Sequence, residues 1–167
     1  FASDGGYRMD GFKEYTGKYK EQHIVETGTL VVAHTDITQE AALIGNPVLV
    51  MGIPKYERLL ISMDLVKVCP TSSNISKEFL YCLMKTKAFK EHCLGYSNGS
   101  TVLHLSKDAI PEFEFYAPPN EKIHAFTEMA SDLLKKKYKN VNDIENLQNQ
   151  RNLLLPKLVS GEVNIQS

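Results

Sequence analysis

Apolar positions along this chain follow two different spacings. Short runs come first. Residues 29–33 (TLVVA) follow Gly28 and read as a strand buried on both faces, being apolar without alternation and rich in β-branched side chains. Residues 46–51 (NPVLVM) predict a second strand, and 59–68 (LLISMDLVKV) a third, which Asp64 and Lys67 leave unevenly covered. Residues 101–105 (TVLHL) predict another, with His104 in it. In 110–116 (IPEFEFY) apolar and acidic residues alternate, the pattern of a half-exposed strand, with Pro111 placing it at a sheet edge. Between them, residues 76–93 carry Phe79, Leu80, Leu83, Met84, Phe89 and Cys93 at helical spacing, with Ser76 as cap and Gly95 suited to the position after the last turn.

The second spacing dominates the end of the chain. From Asn120 to Gly161, apolar residues recur at Ile123, Phe126, Met129, Ala130, Leu133, Leu134, Tyr138, Val141, Ile144, Leu147 and then Leu153, Leu154 and Leu155. No Gly or Pro falls between Pro119 and Pro156. Such a stretch makes about ten turns, or ~52 Å at ~1.5 Å rise per residue. A helix of that length cannot bury its stripe against itself and requires another helix or another chain. Lys135, Lys136, Lys137 and Asn140 disturb the apolar phase, so residues 138–141 are where imperfection is expected. Pro118 and Pro119 form a stiff joint ahead of it, and Asn120 suits a helix cap. The expected organisation is a domain over 1–119, the helix over 120–160 and a tail over 161–167.

Composition changes this picture little. Of 167 residues, 43% are hydrophobic, enough for a sizeable core. The 19 Lys and Arg against 20 Asp and Glu give a formal charge of -1, so any nucleic-acid binding must come from a local patch. Cys69, Cys82 and Cys93 make no CxxC pair, and reduced core thiols are expected. No apolar run is long enough to span a bilayer, and no membrane partner is expected. The chain begins with Phe1, as a fragment with an upstream start would.

Candidate chemistry is that of binding. There is no Gly-rich phosphate loop, no GxSxG and no HExxH. The five histidines have no metal-ligand spacing, so no metal site is expected. Scattered acids such as Asp36, Glu40 and Glu57, with Lys55, could sketch a nuclease, but nothing in their order requires it. The string after the first strand, His34 to Gln39, either presents side chains at a strand end or caps a turn through Asp36 or Thr38; capping is the favoured reading. The front of the chain interleaves rings and cations: Tyr7, Arg8, Phe12, Lys13, Tyr15, Lys18, Tyr19 and Lys20. Such residues suit phosphates and base edges. The same composition also suits a solvated loop. Lys85, Lys87 and Lys90 form a second basic face, for which simple solvation is the commoner explanation.

Three stretches together resemble one family. IENL at 144–147 with RNLLLPKLVSGEV at 151–163 resembles the helix ending of specificity subunits of type I restriction–modification systems. GSTVLHL at 99–105, with the following strand and proline joint, looks like the end of their target-recognition domain, and residues 15–38 look like an earlier part. The ending is the specific element, since its Pro and Gly lie at fixed places after a long helix.

The resemblance implies an α/β (α+β) target-recognition domain followed by a long C-terminal helix that pairs as an antiparallel coiled coil. It implies a non-catalytic subunit reading half of a bipartite site in double-stranded DNA and docking modification and restriction subunits. S-adenosylmethionine, ATP and Mg2+ are then expected on those partners, with none in this chain, in the cytoplasm of a bacterium or archaeon. The front is short for a complete recognition domain, implying a missing N-terminal part; the alternative is a natural half-subunit, a homodimer through the helix. DNA-contact candidates are Arg8, Lys13, Lys18, Tyr19, Lys20, Ser97, Asn98, Ser100 and Thr101. Helix-interface candidates are Ile123, Phe126, Ala130, Leu133, Leu134, Val141, Ile144, Leu147 and Leu154. The competing reading is a protein-interaction module that dimerises through the helix and binds no DNA.

Overall fold

A computed structural model describes residues 12–38, 40–53 and 56–162. The strands are β1 (Ile24–Val25), β2 (Leu30–Ala33), β3 (Thr35–Asp36), β4 (Pro47–Leu49), β5 (Leu59–Leu60), β6 (Leu65–Val68), β7 (Ser97–Asn98) and β8 (Leu103–Leu105). The helices are α1 (Lys77–Met84), α2 (Lys87–Gly95) and α3 (Asn120–Val159). The strands form three small sheets, β1-β5, β4-β2-β6 and β3-β8-β7, every pair antiparallel. Small antiparallel sheets with separate helices make the architecture α+β. The chain divides into two compact units, Phe1–Thr127 and Glu128–Ser167.

The first unit is built around β2. All four of its residues are buried, as its unalternated apolar run predicts. Val31 packs with Val25, Val48, Val50 and Ile61, with Leu59 and Leu65 at the edge. Leu30 and Val32, one residue either side, are also fully buried. The strand then changes sheets. His34 N–H donates to the Asp64 carbonyl (2.7 Å) beside β6, while the His34 carbonyl accepts from Leu105 N–H (2.9 Å) in β8. One extended run thus leaves β4-β2-β6 as β2 and enters β3-β8-β7 as β3.

Five sequence expectations change. The run at 59–68 is two strands, because Leu65 N–H bonds back to the Ser62 carbonyl (3.2 Å) and Ser62 Oγ donates to Asp64 Oδ2 (3.2 Å), closing a turn. The helix at 76–93 is likewise two. Ser76 caps α1 as expected, accepting from Phe79 N–H, but Thr86 starts a second helix by accepting from Phe89 N–H. Gly95 is the last helical residue and not the position after it. The alternating segment at 110–116 forms no strand. Its rings instead face helices: Phe113 meets Phe89 edge-on (5.0 Å between centroids) and His92 (5.1 Å), and Phe115 lies 6.1 Å from Phe79. Cys69 is exposed, so only Cys93 is a fully buried thiol.

Helix α3 begins at Asn120, and its first two turns belong to the first unit. Ile123 is 2% exposed. Phe126 meets Phe79 edge-on at 5.7 Å, and the Ser76 and Thr127 hydroxyls lie 3.3 Å apart. The first compact unit ends at Thr127, within α3. In the second unit the helix runs unbroken through 138–141 and through Pro156. It ends where Gly161 adopts φ 75°, the left-handed conformation that terminates helices.

Candidate nucleic-acid interface

The segment 95–105 was expected as a flexible loop leading to a strand; it is a hairpin. Ser97 pairs with Leu105 and Asn98 with His104, joined by residues 99–102. The turn depends on Gly99, whose φ is 122°; a Cβ there would lie 2.0 Å from the Val102 carbonyl oxygen. Asn98, Ser100 and Thr101 are exposed on this hairpin, as base-contact candidates must be. Ser97 is not free for that role: it is half-buried, and its Oγ donates to the Cys93 carbonyl at the end of α2 (2.7 Å).

The third strand of this sheet, β3, lies on the other side of β8, with Thr35 opposite His104 and Asp36 opposite Leu103. Side chains alternate faces along a strand. The inner positions are Asp36 and Leu105, both 2% exposed. The outer row runs across all three strands as Thr35, His104 and Asn98. Thr35 Oγ1 donates to Asp64 Oδ1 (2.8 Å), which fixes its hydroxyl. Beside this row, the His34 imidazole titrates below its ordinary value; burial is the main cause, the neighbouring His104 adds to it, and Asp64 opposes it.

Asp36 organises the connection from β3 to β4. Its Oδ1 accepts from Thr38 N–H and Thr38 Oγ (both 2.7 Å), and its Oδ2 from Leu43 N–H and from Ile44 N–H (2.8 Å). Burial alone would raise this carboxyl's pKa; the hydrogen bonds outweigh it and hold the pKa below the ordinary carboxylate value. Of the two readings of this string, the structure adopts capping, through Asp36 and Thr38. The same loop is gripped from the other side by Lys90, whose ammonium donates to the carbonyls of Ala41 (2.7 Å), Ala42 (3.2 Å) and Ile44 (2.6 Å) and to Asn46 Oδ1 (3.4 Å). Lys90 is thus no part of a solvated basic face. Lys85 and Lys87 are exposed, Lys87 pairing with Glu91 (3.4 Å). Between the two anchors Ala41 is held at φ 51°, an uncommon conformation for a residue with a side chain. Directly after Asp36, Ile37 stands 77% exposed.

The front segment holds the other candidates. Lys13, Lys18, Tyr19 and Lys20 are all exposed on irregular backbone, while Arg8 lies outside the described residues. Tyr15 Oη donates to the Lys18 carbonyl (3.1 Å), and Phe12 packs 6.4 Å from Tyr56. Sequence reasoning missed Arg58, whose Nη1 donates to Tyr19 Oη (3.0 Å) and so adds a guanidinium to this basic segment. Its signal was faint: one arginine just before β5, 39 residues from its partner.

Taken alone, the second unit is a helix with an uncovered stripe. Leu133, Ile144, Leu147 (63%) and Leu154 are exposed, Leu134 and Val141 half-buried and Ala130 buried. Of the nine interface candidates, Ile123 and Phe126 are engaged within the first unit; the stripe from Leu133 onward is what remains open.

The chain is similar to a restriction-enzyme subunit. It is 29% identical over 89 residues to the type I restriction enzyme HindI specificity subunit of Haemophilus influenzae. The match takes in 53% of this chain and 19% of that subunit, so the chain spans about a fifth of the relative's length. No family model matches.

Among the described residues, no group of three His, Cys, Asp or Glu side chains could hold a metal ion. Of the residues that could sketch a nuclease, Asp36 has both oxygens committed to the loop, and Lys55 lies outside the described residues. No helix of the described residues is long and apolar enough to cross a membrane. What the arrangement offers is a set of exposed cations on one segment, exposed amide, hydroxyl and imidazole groups on a small sheet, and an uncovered helical stripe.

Proposed function

We propose that this chain is a non-catalytic DNA-recognition module of a type I restriction–modification enzyme, reading one half of a bipartite duplex site. The observation that carries the reading is the similarity to the HindI specificity subunit. The geometry supports it. Lys13, Lys18 and Lys20, with Arg8, contact phosphates and set register; Tyr19 serves there with Arg58. Asn98, Ser100 and Thr101 on the Gly99 turn reach base edges, where amide and hydroxyl groups discriminate by donor and acceptor pattern. Modest net charge suits a module that shares its grip on DNA with larger partners.

On this reading α3 is a spacer. Its 40 residues span ~60 Å at ~1.5 Å per residue. Its stripe from Leu133 to Leu154 pairs antiparallel with a second such helix, supplied by another unit of the same subunit or by a second copy of this chain. Its flanks dock the modification subunits. S-adenosylmethionine, ATP and Mg2+ belong to those partners and to the restriction subunits.

The test is fluorescence anisotropy with labelled duplexes, run on this chain assembled with modification subunits. Sequence-preferring binding that weakens steeply with salt is expected. Equal affinity for every duplex, together with a stable helix-mediated dimer in light scattering, would replace the reading with that of a protein-interaction module.

A further inference from the structure

Asp36 and Thr38 form the cap, but the exposed Ile37 between them has no part in it. Ile37 is 77% exposed, and the residues on either side of it, Asp36 and Thr38, are hydrogen-bonded. Asp36 accepts four hydrogen bonds immediately before it. Lys90 reaches from α2 to three carbonyls of the same loop, and Ala41 is kept in a left-handed conformation between them. Strained backbone that the surroundings over-determine concentrates where a surface must be presented in one geometry.

Thr35 is an outer position of β3 and Asp36 an inner one; Ile37 follows them directly in the chain and is exposed, at the end of the strand that carries the row Thr35–His104–Asn98. Neighbours in such a row stand about 5 Å apart. The face thus combines an imidazole, an amide, a hydroxyl and one aliphatic group. That mixture suits base edges in the major groove, where thymine offers a methyl group and every pair a donor and acceptor pattern; a two-stranded β-ribbon fits that groove. It does not suit phosphates.

We infer that the outer face of β3-β8-β7 enters the major groove, with Ile37 contacting a thymine methyl and His104 a base edge. Both are specificity-determining residues in addition to the hairpin candidates. This rests on the DNA-recognition reading, and Asp36 and Lys90 act as positioning residues for Ile37.

The experiment uses the full chain assembled with modification subunits and a random-duplex pool, from which the preferred site of the unaltered protein is selected first. Ile37→Ala and His104→Ala are then measured on that site and on its single-base variants. Each should lose discrimination at one or two base pairs by roughly fivefold to a hundredfold. Affinity for unrelated duplex and the slope against salt should not change, since no phosphate contact is removed. Unchanged discrimination in both variants overturns the inference while leaving DNA recognition standing. Loss of assembly with the modification subunits at unchanged base preference also overturns it, and makes the face a protein-docking surface. No selectable site for the unaltered protein removes both the inference and the reading beneath it. Ile37→Thr, which keeps a branched Cβ and one methyl, should retain more discrimination than the alanine variant.

Discussion

Replacing Asp36 by Asn keeps the shape of the side chain and removes its charge and one acceptor oxygen. In the folded protein, two oxygens receive four donors. An asparagine can satisfy the donors on one side only; its amide nitrogen must then face either Thr38 or the Leu43 and Ile44 amides, a meeting of donors with donors. Hydrogen bonds to a charged group contribute about 1.5–3 kcal/mol each, and a stranded buried N–H costs about 1–3 kcal/mol. With partial relaxation of an edge loop, a loss of about 3 kcal/mol is expected, a large part of the ~5–15 kcal/mol that holds a domain together. Urea unfolding followed by tyrosine fluorescence measures it, and amide hydrogen exchange locates it: Thr38, Leu43 and Ile44 should lose protection first. The pH dependence has a definite sign. Asp36 has a folded pKa below its ordinary value of 3.8, so its contribution is present above that value and is lost as pH falls through the folded pKa. Asp36→Asn should therefore flatten the acid limb of the stability curve. A destabilisation under about 1 kcal/mol with the three amides still protected would refute the assignment of Asp36 as organiser of the loop.

Gly99→Ala should unfold the hairpin tip, since φ 122° is strained for alanine by about 1–3 kcal/mol and the Cβ meets the Val102 carbonyl; faster exchange at Leu103 and Leu105 and loss of base preference would report it. Lys18→Ala and Arg58→Ala should each weaken binding to all duplexes alike and reduce the salt slope by about one, measured by anisotropy across a salt series. Ile144→Lys with Leu147→Lys should lower the oligomer or complex mass in light scattering without changing the melting of the first unit. Burial pushes the Cys93 thiol up to about 11, so a thiol reagent should label exposed Cys69 rapidly in the native protein and Cys93 only on unfolding.

What could be read from the sequence was local. The strand at 29–33 was legible because a strand buried on both faces leaves an unalternated apolar run. The Ser76 cap and the long helix were legible because capping and 3.6-residue periodicity are short-range signals. The split of 59–68 was written in Ser62 and Asp64, polar turn residues inside an apolar run. The split of 76–93 was written in Thr86, a capping residue where the stripe should have continued. Residues 110–116 misled because alternation says nothing of what covers the apolar side chains: Phe113 packs on a helix and not on a neighbouring strand, and Phe115, though 6.1 Å from Phe79, stays exposed. The role of Lys90 was out of reach, since its acceptors lie 44 to 49 residues earlier and a lysine between helix positions looks like any solvated one. Arg58 was missed for the same reason.

The division of β3 and β8 into inner and outer positions sets how this surface can diversify. Asp36, Leu103 and Leu105 point inward and are tied to the fold, and Thr35 is half-buried and bonded to Asp64, whereas Ile37, His104 and Asn98 are exposed. Exchanges at solvent-side positions alter stability by about 0.5 kcal/mol or less. Heritable change can therefore rewrite the exposed positions one side chain at a time on an unaltered frame, and a laboratory library confined to those three positions would explore new preferences without first having to rescue folding.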